Sequence, residues 1–152
     1  MSRRSARGKR LAAALAGLAA LGACREAPPL PSAELQIRLE TPAAEVELGR
    51  AFPLAVVRLW SQKYIPADFS EQLLQPLAVS LEGIERREER GRVEEPRRYR
   101  AFAFTLEEVV LEGLVLTAYP RAGGPPAEAR SNARRLPVRP APDPQQPGPP
   151  EL

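Results

Sequence analysis

Short stretches in which apolar and polar residues alternate make up most of the middle of the chain. In 34–40, for example, Leu35, Ile37 and Leu39 alternate with charged or amide side chains. A period of two is typical of a β-strand with one buried face, whereas a helix repeats about every 3.6 residues. The pattern, interrupted by Pro, Gly or clustered charges, predicts strands at 34–40, 45–48, 52–60, 76–82, 98–106, 114–119 and 136–139.

The alternation also predicts which side chains form the core. The segment 52–60 is apolar on both faces, which is typical of a central strand. In two other strands, the residues expected to face inward are Leu77, Val79, Leu81, Phe102, Phe104 and Leu106. Trp60 and the phenylalanines are expected to contribute most to burial because their side chains are large.

About seven short strands without a sustained amphipathic helix predict an all-β fold, a single antiparallel Ig-like β-sandwich over 33–139. Only 68–74 has the composition for one or two helical turns. The chain has one Cys, so a sandwich of this kind lacks an inter-sheet disulfide and depends on apolar burial.

The first 23 residues have the organisation of a signal peptide. Five basic residues and no acidic ones lie in 1–10, and 11–23 is an uncharged apolar run of 13 residues. As a helix this run is about 20 Å long, which is short of the bilayer core of about 30 Å. It ends in Leu21-Gly22-Ala23-Cys24, which resembles the lipobox of bacterial lipoproteins.

The lipobox resemblance implies cleavage between Ala23 and Cys24 and lipidation of Cys24, with the protein held in the cell envelope and facing the periplasm. Arg25 rather than Asp follows the cysteine, and this resembles the enterobacterial sorting signal that implies the outer rather than the inner membrane. The alternative is an ordinary secretory signal that is cut nearby and leaves Cys24 as a free thiol. The Pro-rich segment 24–32 is the predicted tether, and the Pro-rich tail 140–152 is predicted to be disordered.

The charge distribution argues against a nucleic-acid partner. The net charge of +3 comes from 22 basic and 19 acidic residues, and five of the basic residues lie before Cys24, which leaves 17 against 19. The basic character therefore belongs to the signal peptide and not to a binding face.

The residue types argue against an enzyme. There is no His, Lys63 is the only lysine after the signal peptide, and only two Asp residues are present. The adjacent pair Glu94 and Glu95 would point to opposite faces of a strand and so could not share a substrate. We therefore expect no catalytic residues, no metal site and no cofactor.

The densest charge lies in 85–100, where seven Arg and five Glu occupy twelve of the sixteen positions. One interpretation is a solvated hairpin that turns near Gly91, with charges that prevent edge-to-edge strand pairing. The other is a docking edge, because the guanidinium fork matches carboxylates and phosphates. The candidate contacts are Arg86, Arg87, Arg97 and Arg98. Tyr64, in a predicted loop at 61–68, either caps the core or contacts a partner.

Two segments resemble the N-terminal Ig-like module of the BatD (oxygen-tolerance) family. They are 42–56, a strand, a Gly turn and an apolar strand, and 113–120, followed by Ser131-Asn132 and a last strand through Val138. The resemblance implies a non-enzymatic envelope protein whose partners are von Willebrand A-domain proteins or a MoxR-type AAA+ ATPase. This chain departs from that family in having a single module, a predicted lipid anchor and a Pro-rich end.

Together these observations predict a lipid-anchored cell-envelope accessory protein whose β-sandwich mediates protein–protein interaction or assembly. The alternative is a module that binds an envelope glycan or a small solute. Such modules usually offer exposed aromatic side chains in a groove, and the eight aromatic residues here lie mostly in phase with the predicted core.

Overall fold

The structure is a computed structural model that describes residues 29–144. These residues form strands and a single-turn 3-10 helix at Glu71–Leu74, so the predicted all-β fold is confirmed. The strands of the described residues are β1 (Leu30–Pro31), β2 (Leu35–Glu40), β3 (Val46–Glu47), β4 (Phe52–Ser61), β5 (Tyr64–Pro66), β6 (Ala78–Ile84), β7 (Arg87–Glu89), β8 (Arg92–Phe102), β9 (Val109–Leu111), β10 (Val115–Pro120), β11 (Ala127–Arg130), β12 (Arg134–Leu136) and β13 (Val138–Arg139).

The larger sheet has the order β2-β4-β8-β6, with every pair antiparallel, and β7 pairs with β8 beyond the end of β6. The central position of β4 confirms the prediction from its apolar composition. The register places Arg58 opposite Glu95 on β8 and opposite Ile37 on β2. The two long central strands thus bring a basic and an acidic residue face to face.

The second sheet has the order β1-β11-β10-β5, in which only the β1–β11 pair is parallel. After β4 the chain turns at Gln62 and Lys63 and continues as β5, so it leaves one sheet and enters the other. Strands β10 and β11 contact β2, which joins the two sheets along that side. Two short pairs, β9–β12 and β3–β13, complete the described fold.

The core is built mainly from aliphatic side chains of both sheets. Its members include Leu54 and Val56 of β4, Leu116 and Ala118 of β10, and the fully buried Tyr99 of β8. Of the four phenylalanines only Phe52 is buried, and Phe69 packs against the core from the side. Trp60 belongs to the core as expected, but the expected large contribution of the phenylalanines is wrong.

The predicted inward phase of 98–106 is also wrong. The inward residues are Tyr99, Ala101 and Ala103, whereas Phe104 is 66% and Leu106 58% exposed. The set that contains Phe104 also contains Arg98 and Arg100, whose exposed charges mark the outward face, whereas the prediction followed the large phenylalanine side chains. The exposed ring of Phe104 is partly shielded by Phe102, because the centres of the two rings lie 6.1 Å apart in a stacked arrangement.

Leu81 is a further exception to the predicted core, because it is exposed. It lies on β6, which forms the edge of the larger sheet, and the register shifts between Leu81 and Gly83 through a bulge. Leu77 is buried and Val79 is half-buried, in agreement with the prediction.

Several elements differ from the predicted set of about seven strands. β1 begins inside the predicted tether, and β5 occupies the predicted loop at 61–68; β7, β9 and β11 were also missed. Many of the additional strands have only two to four residues, too short to show a period. The hairpin near Gly91 is confirmed, because Arg90 and Gly91 join β7 and β8 with φ of 50° and 75°. The Ig-like topology stays a prediction.

The core assignment predicts very different losses of stability for the same substitution, Leu to Ala, at two positions. Leu111→Ala removes a fully buried side chain and should lower the free energy of unfolding by about 2–5 kcal/mol, because it leaves a cavity. Leu106→Ala removes an exposed side chain and should change that free energy by less than about 0.5 kcal/mol. Urea unfolding followed by circular dichroism measures both. Equal losses would contradict the core assignment.

Candidate functional site

A buried ion pair lies between the two central strands of the larger sheet. The side chains of Arg58 and Glu95 are 4% and 1% exposed. Arg58 donates two hydrogen bonds to Glu95 Oε1, from Nε at 3.0 Å and from Nη2 at 2.7 Å, and a third from Nη1 to the Ala67 carbonyl oxygen at 2.8 Å. A charge this far from water is stable only when it is paired and hydrogen-bonded, as both are here.

Two further arginines contact the same carboxylate. Arg97 Nε donates to Glu95 Oε1 at 3.0 Å, and Arg86 Nη2 donates to Oε2 at 2.8 Å. Arg97 is two residues after Glu95 on β8 and therefore shares its face, whereas Arg86 reaches in from the turn between β6 and β7. The Arg–Glu cluster, as we call Arg58, Arg86, Arg97 and Glu95, thus holds three guanidinium groups around one carboxylate.

Aromatic rings cover the guanidinium groups of this cluster. The Cζ atoms of Arg58 and Arg86 lie 5.3 Å and 5.6 Å from the centre of the Trp60 ring, and that of Arg97 lies 5.4 Å from the centre of the Phe69 ring. These are cation–π distances, and the attraction is stronger where water is excluded. The rings therefore fix the positions of the three cations.

The cluster controls the ionisation of Glu95. Burial acts to raise the pKa of this carboxyl, but hydrogen bonds from Arg86 and Arg58 outweigh burial and hold the pKa below its ordinary value of 4.5. Tyr99 supplies no second negative charge. Burial raises the pKa of its phenol above 10.0, although Arg97 acts in the opposite direction, so the hydroxyl stays neutral at physiological pH. The cluster therefore carries an excess of positive charge.

A cleft of about 540 Å³ opens next to the Arg–Glu cluster. We call it the Trp60 cleft; its lining residues are Trp60, Gln62, Tyr64, Ile65, Pro66, Arg86, Glu88, Val93 and Arg121. Arg121 Nε donates to the Gln62 carbonyl oxygen at 2.9 Å. Within residues 29–144 no carboxylate pairs with Arg121.

Two of the predicted contact residues, Tyr64 and Arg86, meet in this cleft. Tyr64 is half-buried and packs against the core, whereas Arg86 keeps 59% of its side chain exposed while it contacts Glu95. The prediction that Tyr64 lies in a loop is wrong, because pairing with Pro120 of β10 makes it part of β5. That pairing fixes the backbone of one wall of the cleft.

The other predicted arginines do not form a continuous docking edge with Arg86. Arg97 is only 16% exposed, because it points toward Glu95 and Phe69. Its neighbour Arg98 points to the opposite face of β8, where it and Arg87 form ion pairs with Glu85. These hydrogen bonds from Arg98 and Arg87 lower the pKa of Glu85. The arrangement on this face agrees with the solvated, edge-protecting interpretation.

A second opening, of about 490 Å³, lies on the outer face of the larger sheet around Ala55. Its charged lining residues already have partners. Arg98 pairs with Glu85, Glu82 with Arg100 and Glu40 with Arg38, and Arg134 donates to the Thr41 and Ala43 carbonyl oxygens. The Trp60 cleft differs in bringing together two of the predicted contact residues, Tyr64 and Arg86, beside the Arg–Glu cluster, and we therefore take it as the candidate site.

No protein-family model, curated protein or solved structure matches the chain. The resemblance to BatD proteins is therefore untested and stays a prediction. The predicted lipobox, including Ala23 and Cys24, lies outside the described residues. Across 29–144 there is no helix of sufficient length and hydrophobicity to span a membrane, and no group of three or more acidic, His or Cys side chains that could hold a metal ion.

Sequence reasoning missed Arg58, Glu95 and Arg121. A lone Arg inside the apolar segment 52–60 was the available signal, because a charge in a central strand requires a buried partner. Nothing in the sequence distinguishes Glu95 from Glu94 as that partner, since the choice depends on which face of β8 turns inward. Arg121 comes to the cleft only through the β5–β10 pairing.

The ion pair predicts a large effect of a small substitution. Glu95→Gln removes the negative charge and leaves Arg58 buried without it, so the free energy of unfolding should fall by about 3–5 kcal/mol. The same substitution at Glu82, which pairs with Arg100 at 3.1 Å on the surface, should change stability little. Urea titration at neutral pH compares the two variants, and similar losses in both would contradict a stabilising role for the buried pair.

The lowered pKa of Glu95 predicts a pH dependence. Because the folded pKa lies below the ordinary 4.5, the carboxylate contributes its full stabilisation above pH 4.5, and this contribution is lost as the pH falls through the folded pKa. The difference in unfolding free energy between the parent and Glu95→Gln should be constant above that pH and shrink in acid. A difference that stays constant throughout the acid range would contradict the assignment.

Proposed function

We propose that this protein is a non-enzymatic, lipid-anchored accessory protein of the cell envelope, and that it binds a partner protein through the Trp60 cleft. The observation that carries the proposal is the set of side chains around that cleft. Trp, Tyr and Arg are the residue types that dominate the binding energy of protein interfaces. Here Tyr64, Arg86 and Arg121 line one opening, with Trp60 at its base.

An exposed apolar pair extends this surface. Ile65 and Tyr119 are directly opposite each other on β5 and β10, so their side chains lie side by side. They are 49% and 51% exposed. Ile65 also lines the Trp60 cleft, so the apolar pair and the arginines form one continuous surface. A rigid apolar patch beside charged side chains supports protein binding better than catalysis.

The predicted anchor is compatible with a partner at the membrane. Leu30, the first residue of β1, is six positions after Cys24, and six positions span at most about 20 Å. A few residues later, the carbonyl oxygen of Glu34 accepts a hydrogen bond from the backbone of Ser61, the residue before Gln62 at the cleft. A lipid on Cys24 would therefore keep the cleft close to the bilayer, within reach of membrane proteins.

The alternative function is binding of an envelope glycan or a small solute. Tyr64 supports it, since sugar rings stack on accessible aromatic faces. Trp60, the largest aromatic side chain, argues against it, because Trp60 is buried and two guanidinium groups already contact its ring. The partner classes implied by the BatD resemblance, A-domain proteins and a MoxR-type ATPase, are the first that a capture experiment should examine.

A crosslinking capture from native envelopes tests the proposal. The tagged parent should enrich a specific protein, and Tyr64→Ala should reduce that enrichment several-fold, while Tyr119→Ala should weaken it because the apolar pair contributes area. Cys24→Ala should release the protein from the membrane fraction and remove the mass of the lipid. Membrane binding and mass that Cys24→Ala leaves unchanged would contradict the anchor. Enrichment of no protein, together with glycan binding that depends on Tyr64, would favour the alternative.

A further inference from the structure

The charged side chains of the Trp60 cleft are not balanced by one another. Arg86 shares Glu95 with two other arginines, and within residues 29–144 Arg121 has no carboxylate partner. Among the described residues, the only acidic one that lines the cleft is Glu88, which is exposed and accepts a hydrogen bond of 3.4 Å from Gln62. The lining side chains therefore carry an excess of positive charge, and the neighbouring Arg–Glu cluster does not cancel it.

The two arginines are held in place before any ligand arrives. Arg86 is fixed by its hydrogen bond to Glu95 at 2.8 Å and by the Trp60 ring, and Arg121 is fixed through Nε by the Gln62 carbonyl oxygen at 2.9 Å. The hydrogen bonds use one N–H of each guanidinium and leave other donors free. Donors fixed in advance lose little entropy when they bind a carboxylate.

Apart from Gln62 and Glu88, the remaining residues that line the cleft are apolar or aromatic. Tyr64, Ile65, Pro66 and Val93 lie around the arginines, with Trp60 at the base. A ligand that carries only a charge would leave the apolar walls exposed to water. A purely apolar ligand would leave the guanidinium donors without acceptors. The cleft therefore matches a ligand that offers an anionic group and an apolar group side by side.

We infer that the Trp60 cleft recognises an acidic side chain of the partner protein that lies next to an aromatic or branched apolar residue. This inference rests on the proposed function and specifies the partner's contact segment. A carboxylate is favoured over a phosphate because Glu88 lines the same cleft and would repel a dianion more strongly than a monoanion. Arg121 is the principal contact to the carboxylate, since Glu95 already engages Arg86.

The single Trp of the chain reports binding directly, because it is Trp60 at the base of the cleft. The full chain is titrated with the peptide acetyl-Ala-Phe-Glu-Ala-amide, and Trp fluorescence is recorded. The same peptide with Gln in place of Glu should bind about tenfold or more weakly, because the charge-assisted hydrogen bonds are lost. Arg121→Gln should weaken binding of the acidic peptide by a similar factor and leave binding of the Gln peptide unchanged.

A matched variant controls for charge. Arg92 also lacks an acidic partner among the described residues but lines other clefts, so Arg92→Gln removes the same charge elsewhere and should not change binding. Arg121→Lys keeps the charge without the planar fork and should give an intermediate affinity. Arg121 is exposed, so circular dichroism should show that both Arg121 variants are as stable as the parent.

Equal binding of the acidic and Gln peptides, or unchanged binding of the acidic peptide by Arg121→Gln, would overturn the inference. Displacement of the acidic peptide by inorganic phosphate at comparable concentration would overturn it as well. Tighter binding of free N-acetyl-phenylalanine than of the peptide would also overturn it, in favour of a small organic acid. If the peptide titrations give one of these results while envelope capture still depends on Tyr64, the inference is wrong and the proposed function stands.

Discussion

Arg58 and Glu95 face each other across β4 and β8, at a position where a central sheet normally carries apolar side chains. Removing two charges from water is costly, so this pair constrains everything around it. It determines which face of β8 turns inward, and Arg58 also ties the Ala67 carbonyl oxygen to the sheet. The segment that follows Ala67 leads into the 3-10 helix, whose Leu74 is fully buried.

The same carboxylate links the core to the surface. Glu95 accepts hydrogen bonds from the buried Arg58 and from the largely exposed Arg86, and both guanidinium groups lie against Trp60. The wall of the Trp60 cleft is thus attached to the core through Glu95 and Trp60. Because three arginines share one carboxylate, the arrangement that satisfies Glu95 also leaves positive charge at the cleft. Stability and the proposed recognition therefore have a common physical origin.

The sequence predicted those parts of the fold that depend on local pattern. The regular alternation of apolar and polar residues predicted β2, and the segment that is apolar on both faces predicted β4. The glycine within the charged segment predicted the hairpin turn at Arg90 and Gly91. The orientation of β8 was missed, because the prediction placed Phe102 inward although the charged Arg98 and Arg100 belong to the same alternating set. The roles of Glu95, Arg97 and Arg121 were missed as well, since each depends on pairing between strands that are distant in sequence.

The most direct test of the buried cluster is hydrogen exchange of the arginine Nε–H groups, measured by NMR on the uniformly nitrogen-15-labelled protein. The account predicts that Arg58 and Arg97, whose Nε–H groups donate to a carboxylate that is 1% exposed, exchange far more slowly than the exposed Arg38 and Arg100. Equally fast exchange at all four arginines would mean that Glu95 does not hold a buried cluster, and the explanation of both the core and the cleft would fail.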